Sequence, residues 1–284
     1  MKVLVIGSNG QLGRRVQTVL TDKNIDFDAY DYPEIDITSL DSIKNRFEQT
    51  MPNTIINCAA YTNVDQAETD YDNAYRINAL GAKNLAEICV QNDAELVHVS
   101  TDYVFSGDPI CVEGKPRPYF EDDECNPATA YGKTKLESER FVQESGAKYY
   151  ILRTAWLYGE GNNFVRTMLK LSETHDTIKV VDDQIGSPTS TVDLANTICE
   201  LLGTGEYGLY HATCEGQCSW FDFAKKIFDY SCKSINVVPV TSREFVRPAK
   251  RPAWSVLENA QLKRNGKNVF RSWEDALKEY LLTD

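Results

Sequence analysis

An α/β fold is what the sequence predicts: a doubly wound parallel sheet carrying a smaller mixed α/β lobe on its C-terminal side. Three observations predict it. Short β-branched runs alternate with longer amphipathic ones over the first 160 residues. A glycine-rich turn, Gly7-Ser8-Asn9-Gly10-Gln11-Leu12-Gly13, follows the first such run directly. After Gly159 the alternation loosens into short strands and helices with no Pro/Gly/Ser linker at the border.

The elements follow in order. Residues 2–6 read as a strand, and 11–20 as a helix with Leu12, Val16, Val19 and Leu20 on one face. Residues 26–30 form a weaker strand, 42–49 a helix and 54–59 a third strand. A single long helix is expected over 72–92, with Ala74, Ile77, Leu85, Ile88 and Cys89 on its apolar side. Strands at 95–100 and 149–154 flank a helix at 131–145. Strands separated by helices of this length imply right-handed crossovers and a sheet covered on both faces. In the second part, helices at 164–172, 192–202 and 219–230 alternate with strands at 178–181 and 209–212. The last helix starts at Ser272, with Asp275 as a capping-box partner, and runs to residue 282. Two units are expected, a larger one over 1–160 and a smaller lobe over 161–284, with a chain crossover between them and a shared cleft. The 24 residues 106–129 hold four prolines and no periodicity, and are expected to form a flap over the substrate.

Composition bounds the function. A chain of 284 residues suggests one large domain or two modest ones, at about 150 residues each. The formal charge of −12 disfavours nucleic acid and anionic lipid as partners. No apolar run reaches the ~20 residues needed to span a bilayer. The apolar N-terminal run is too short for a signal-peptide core, so a cytoplasmic location is expected. Of the eight cysteines, Cys58, Cys89 and Cys199 lie in apolar stretches, as reduced buried thiols do. His211, Cys214 and Cys218, with Cys232 farther on, fit no common zinc spacing, and no metal is expected.

Three motifs carry chemistry. In the glycine turn, Gly7, Gly10 and Gly13 permit a tight bend, close approach of backbone to a pyrophosphate, and close helix–strand packing. Phosphates would then face the N-terminus of the following helix. This strand–turn–helix context points to a Rossmann-type dinucleotide site. Asp31, at the end of the second strand, suits ribose hydroxyls and leans towards NADH, whereas Arg14 and Arg15 lean towards NADPH. Tyr131 and Lys135 stand at i and i+4 on one helix face, about 6 Å apart. An ammonium about 4 Å from a phenol, at an effective dielectric near 20, would favour phenolate by about 4 kcal/mol, nearly three pKa units. Tyr131 could then protonate an alkoxide. Ser100 and Thr101 put hydroxyls at the carboxyl end of a central strand, the edge where open α/β sheets bind ligands. A helix-cap or turn role is the plain alternative for both.

Taken together these motifs resemble the extended short-chain dehydrogenase/reductases, and within them the dTDP-4-dehydrorhamnose reductase family. The finer resemblance rests on Ser100-Thr101-Asp102-Tyr103-Val104-Phe105, Tyr131-Gly132-Lys133-Thr134-Lys135, Arg153-Thr154-Ala155-Trp156, Gly161-Asn162-Asn163-Phe164, Gly186-Ser187-Pro188-Thr189 and Arg247-Pro248-Ala249-Lys250-Arg251-Pro252. It covers nearly the whole chain. It implies Tyr131 as proton donor, Lys135 as its electrostatic partner on the nicotinamide ribose, and Thr101 as the carbonyl-orienting residue. It further implies Gly10, Gln11 and Leu12 on the pyrophosphate, Asp31, Asp36 and Ile37 around the adenosine, and Ala60, Tyr61 and Thr62 along the cofactor. Thr101 and Asp102 would touch the sugar, and Trp156 the nucleotide portion. The cofactor is NADPH or NADH, the partner a dTDP-linked sugar, and a homodimer is expected.

Independently of the resemblance, Arg243, Arg247, Lys250 and Arg251 fall within nine residues of an acidic chain, a place for a substrate diphosphate. The expected reaction is reduction of the C4 ketone of dTDP-4-dehydro-L-rhamnose. A reductase of another nucleotide 4-ketosugar, an epimerase or dehydratase of the same fold, and a non-catalytic cofactor-binding subunit are the rival readings.

Overall fold

The computed structural model describes residues 1–283. Six parallel strands form the main sheet: β1 (Lys2–Ile6), β2 (Asp26–Tyr30), β3 (Thr54–Asn57), β4 (Glu95–Thr101), β5 (Lys148–Thr154) and β6 (Gly208–His211). Their spatial order is β6-β5-β4-β3-β1-β2, so the chain reverses direction across the sheet between β1 and β3. That reversal leaves a crevice outside the carboxyl ends of the strands.

β1 is apolar on both faces because helices cover both. Val3 and Val5 point into one core with Val16, Val19 and Leu20 of helix Gln11–Asp22. Leu4 and Ile6 point into the other, with Ile43, Leu85 and Ile88. At about 25 cal/mol per Å² of apolar surface removed from water, such two-sided burial dominates the fold's stability.

The strand expected at 209–212 in the smaller lobe instead completes the large sheet as β6, pairing in parallel with β5. Helix Thr191–Leu201 goes with it, packing Leu194, Ala195 and Ile198 into the Val16 core. The alternating pattern was the same in either lobe, and only pairing with Tyr150–Arg153 decides it. The last helix, Trp273–Thr283, is capped as expected. Ser272 Oγ donates to Asp275 Oδ2 (2.7 Å) and accepts from its backbone N–H (3.1 Å).

Two further expectations are corrected. The single helix over 72–92 is three pieces: Tyr71–Tyr75, a π-turn Arg76–Leu80, and Gly81–Gln91. A π-turn keeps the helical course while shifting register, and periodicity averaged over the run conceals it. The segment 106–129 is not a free flap. It contains an antiparallel hairpin, Ile110–Val112 with Lys115–Arg117, and is pinned to the second lobe through buried Tyr119. The Tyr119 N–H donates to the Val256 carbonyl, and its own carbonyl accepts from Glu258 N, both at 2.9 Å. The Tyr119 ring stacks on Phe105 at 4.1 Å, and the Arg117 guanidinium forks onto Asp123 at 2.6 and 2.7 Å.

Candidate active site

A cleft of about 880 Å³ opens at the sheet's reversal point. Its lining runs from the glycine turn after β1, past Asp31 after β2 and Cys58–Ala60 after β3, to Ser100–Tyr103 at the end of β4 and Thr154–Leu157 at the end of β5. Of the expected site residues, Gly7, Gly10, Gln11, Leu12, Asp31, Asp36, Ile37, Ala60, Thr62, Thr101, Asp102, Tyr131, Lys135 and Trp156 line it.

Gly13 and Tyr61 do not. Gly13 is buried behind the turn, where a Cβ would lie 2.1 Å from the Gly7 carbonyl oxygen. Tyr61 turns its phenol to Asp70 (3.1 Å) while its backbone N–H is held by Asn78 Oδ1 (2.8 Å). Arg243 and Arg247 are exposed and lie outside the cleft, as do Lys250 and Arg251. Arg251 is paired with Asp65 at 2.8 Å, and Lys250 approaches Asp108 at 3.7 Å. The basic cluster is therefore not gathered on the cleft, and two of its four charges are met by carboxylates from distant parts of the chain. Ser100 is also committed elsewhere, donating to Glu139 Oε1 at 2.5 Å.

The glycine turn is built for close approach. Gly7 has φ +77°, and a Cβ there would sit 2.5 Å from Ala59 N. The following helix begins at Gly10 with no side-chain cap and no acidic residue in its first turn. Its first N–H groups are thus left for an anion. Three buried polar atoms on cleft-lining residues lack any partner: Gln11 Oε1, Asp102 Oδ2 and Thr154 Oγ1. Native proteins rarely bury polar atoms unpaired, and here a bound ligand is the natural partner. The donor-rich turn, the free helix end and the length of the cleft fit a nicotinamide dinucleotide.

At the other end stands the reactive group. Tyr131 is the second residue of helix Ala130–Glu144, whose N-cap Thr129 accepts from Gly132 N at 3.0 Å. Gly132 lets this helix press against the 102–104 turn, since a Cβ there would fall 2.2 Å from the Tyr103 carbonyl oxygen. That approach brings Tyr131 within side-chain hydrogen-bonding reach of Thr101. Thr101 Oγ1 in turn donates to Asp102 Oδ1 at 2.9 Å and accepts from Tyr103 N at 3.3 Å.

Lys135 makes its hydrogen bonds to β4 rather than to Tyr131. Its ammonium, 2 % exposed, donates to the Val99 carbonyl at 2.7 Å and lies 3.4 Å from His98 Nε2. Burial lowers its pKa to about 8. The Tyr131 phenol is pushed up, by burial first and by the Asp102 carboxylate second. Desolvation outweighs attraction here, so the protein holds Tyr131 as a proton-loaded phenol. That is the form a proton donor requires.

Asp102 is 4 % exposed, and burial raises its carboxyl from 3.8 to about 7 despite the hydrogen bond from Thr101. Between these values the folded chain holds a proton that the unfolded chain has released. The stability associated with it is present below about pH 4 and lost as pH rises through about 7. We expect Asp102→Asn to be more stable than the parent at pH 8, by up to roughly 4 kcal/mol, and equal to it below about pH 4. Thermal unfolding at the two pH values checks this.

Trp156 forms the far wall. Its backbone is left-handed at φ +47°, and its indole lies flat on Trp220, with centroids 3.5 Å apart and planes 7° apart. Gly186 makes room for it, because a Cβ there would be 2.5 Å from Trp156 Cε2.

A dinucleotide cradle and a Thr–Tyr–Lys set on the carboxyl edge of one parallel sheet define a short-chain dehydrogenase/reductase of the extended kind. The family model described as the RmlD substrate binding domain matches residues 1–283. A dTDP-4-dehydrorhamnose reductase from Aggregatibacter actinomycetemcomitans is 41% identical over 98% of this chain and 97% of its own. A solved dTDP-4-dehydrorhamnose reductase from Clostridium acetobutylicum ATCC 824 is 50% identical, with TM-score 0.95 over 100% of this chain and 99% of that one. Another, from Bacillus anthracis str. Ames in complex with NADP, is 43% identical with TM-score 0.95 and the same coverage. The chain belongs to the dTDP-4-dehydrorhamnose reductase family.

Several site residues escaped the sequence reading. Asn73, from helix Tyr71–Tyr75, and Arg76 and Ile77, from the π-turn, line the cleft. The buried Glu139–Arg153 pair behind Ser100 (2.7 Å) was also missed. A glutamate four residues after Lys135 on the same helix was the available signal for it.

Proposed function

We propose that the protein reduces the C4 ketone of dTDP-4-dehydro-L-rhamnose to the alcohol, giving dTDP-L-rhamnose. The observation that carries this reading is the meeting of Thr101, Tyr131 and Lys135 at one end of a cleft whose other end is the glycine turn. Gly7, Gly10, Gln11 and Leu12 would hold the dinucleotide's pyrophosphate, Asp31, Asp36 and Ile37 would surround its adenosine, and Ala60 and Thr62 would lie along it. The bound dinucleotide supplies hydride.

This chain's residues supply the rest. Thr101 Oγ1 orients the ketone oxygen beside Tyr131. The Tyr131 hydroxyl proton passes to the oxygen at C4, so that the alkoxide becomes an alcohol and the tyrosine a phenolate. The buried Lys135 ammonium, one helical turn away, opposes the new negative charge in a low-dielectric site. Asp102, with Oδ2 unpartnered, accepts a sugar hydroxyl. Residues of the smaller lobe, together with Trp156, would receive the nucleotide portion. We keep Arg243 and Arg247 as diphosphate contacts reached on substrate binding, since both are exposed and form no ion pair among the described residues. A cytoplasmic location and a homodimer complete the reading. Among the described residues no helix is long and apolar enough to cross a membrane.

Loss of reduced-nicotinamide absorbance on adding the keto sugar tests the proposal, and turnover that ignores the sugar would contradict it. Trp220 supports the substrate wall through its stack on Trp156. We expect Trp220→Ala to raise KM for the nucleotide sugar about tenfold, the scale of about 1.4 kcal/mol. Cofactor affinity is expected to stay unchanged, measured by equilibrium titration.

A further inference from the structure

Among the residues lining the cleft, two carry a positive charge: Lys135 at the catalytic end and Arg76 at the opposite end. Arg76 opens the π-turn Arg76–Leu80 and lines the cleft beside Asp36, Ile37, Thr38 and Asn73. Its Nη1 donates to Thr38 Oγ1 at 3.1 Å, and its Nη2 to Asn73 Oδ1 at 3.0 Å. Both acceptors are neutral. No carboxylate pairs with Arg76 among the described residues, and its side chain is exposed at the cleft rim. A guanidinium has five N–H donors, so capacity remains for an anion.

Its surroundings fix which part of a dinucleotide it faces. Thr38 also donates to Asp36 Oδ1 (2.7 Å), which ties Arg76 to the loop after β2 that carries Asp31. The Asp31 carboxylate accepts backbone N–H groups from Asn9 (2.9 Å) and Tyr32 (2.8 Å), which fixes it beside the glycine turn. Alone it would repel a ribose 2′-phosphate. Arg14 and Arg15, the other candidates for that phosphate, lie outside the cleft, with Arg15 turned to Glu160 at 3.3 Å.

We propose that Arg76 recognises the adenosine end of the cofactor and, by pairing with its 2′-phosphate, sets the preference for NADPH over NADH. The proposal rests on the dinucleotide reading of the cleft and assigns that choice to a residue outside the glycine turn. NADH lacks the 2′-phosphate, so its binding is largely independent of Arg76. A lysine at the same position keeps the charge and loses the fork geometry.

The test is equilibrium binding, read from reduced-nicotinamide fluorescence, of NADPH and NADH to the parent, Arg76→Gln and Arg76→Lys. Loss of one charge-assisted contact weakens binding about ten- to a hundredfold. We expect Arg76→Gln to lose NADPH affinity by that factor, Arg76→Lys to lose less, and NADH affinity to change less than about twofold. Unfolding temperatures of the three proteins are compared alongside. Equal weakening of both cofactors would assign Arg76 a merely structural tie to Thr38 and Asn73, and no weakening would remove it from the site. Either result overturns the proposal and leaves the dinucleotide reading intact. A parent that binds neither NADPH nor NADH would overturn that reading itself.

Discussion

Replacing Tyr131 with Phe is expected to lower kcat about a thousandfold, within the range of 10²–10⁴ that a positioned general acid contributes. Cofactor affinity should not change, because the lost atom is a hydroxyl at the reacting end of the cleft. The ring remains, and with it the edge contact to Tyr103 at 5.6 Å. The proton matters more than the packing: burial and Asp102 keep the phenol protonated, ready to give rather than to accept. Steady-state rates and cofactor titration on the same preparation check both halves. A Tyr131→Phe variant with parental kcat would remove the residue from the chemistry.

The second large effect is on stability. Arg153 and Glu139 pair at 2.7 Å with side chains 4 % and 1 % exposed, and Ser100 donates to the same carboxylate. Breaking such a buried pair leaves one charge uncompensated, at a cost of about 3–5 kcal/mol. Arg153→Met is therefore expected to lower Tm by roughly 10 °C, taking about 2–4 °C per kcal/mol for a chain of this size. The double change Arg153→Met with Glu139→Leu removes both charges, and recovery of much of the loss is expected. The pair also backs the strand that ends in Thr101, so a loosened Arg153→Met should lose kcat before it unfolds.

What the sequence made legible was local. The glycine turn could be read because each glycine answers a nearby backbone constraint, as Gly7 against Ala59 shows. Tyr131 and Lys135 could be placed on one helix by spacing alone. The direction of the Lys135 ammonium could not, since its acceptor, the Val99 carbonyl, belongs to a strand far away in the chain. The sign of the Tyr131 shift went the same way: attraction was countable from spacing, whereas desolvation depends on everything packed around the ring. Residues 106–129 looked unanchored because Tyr119 finds its partners at Val256 and Glu258, in the other lobe. Arg251 looked available for a diphosphate because nothing near it in sequence marked Asp65 as its partner. Arg76 was overlooked for a related reason: a π-turn inside an amphipathic run is invisible to a 3.6-residue period.

In the proposed reaction hydride passes from a dinucleotide in this cleft to C4 of a nucleotide keto sugar while Tyr131 provides the proton. Turnover of dTDP-4-dehydro-L-rhamnose with NADPH deuterated at nicotinamide C4 tests it most directly, with the product sugar read by mass and NMR. Deuterium is expected at C4 of dTDP-L-rhamnose, with one oxidised cofactor released per sugar. A sugar product without deuterium, or label that returns to a retained cofactor as in an epimerase, would contradict it.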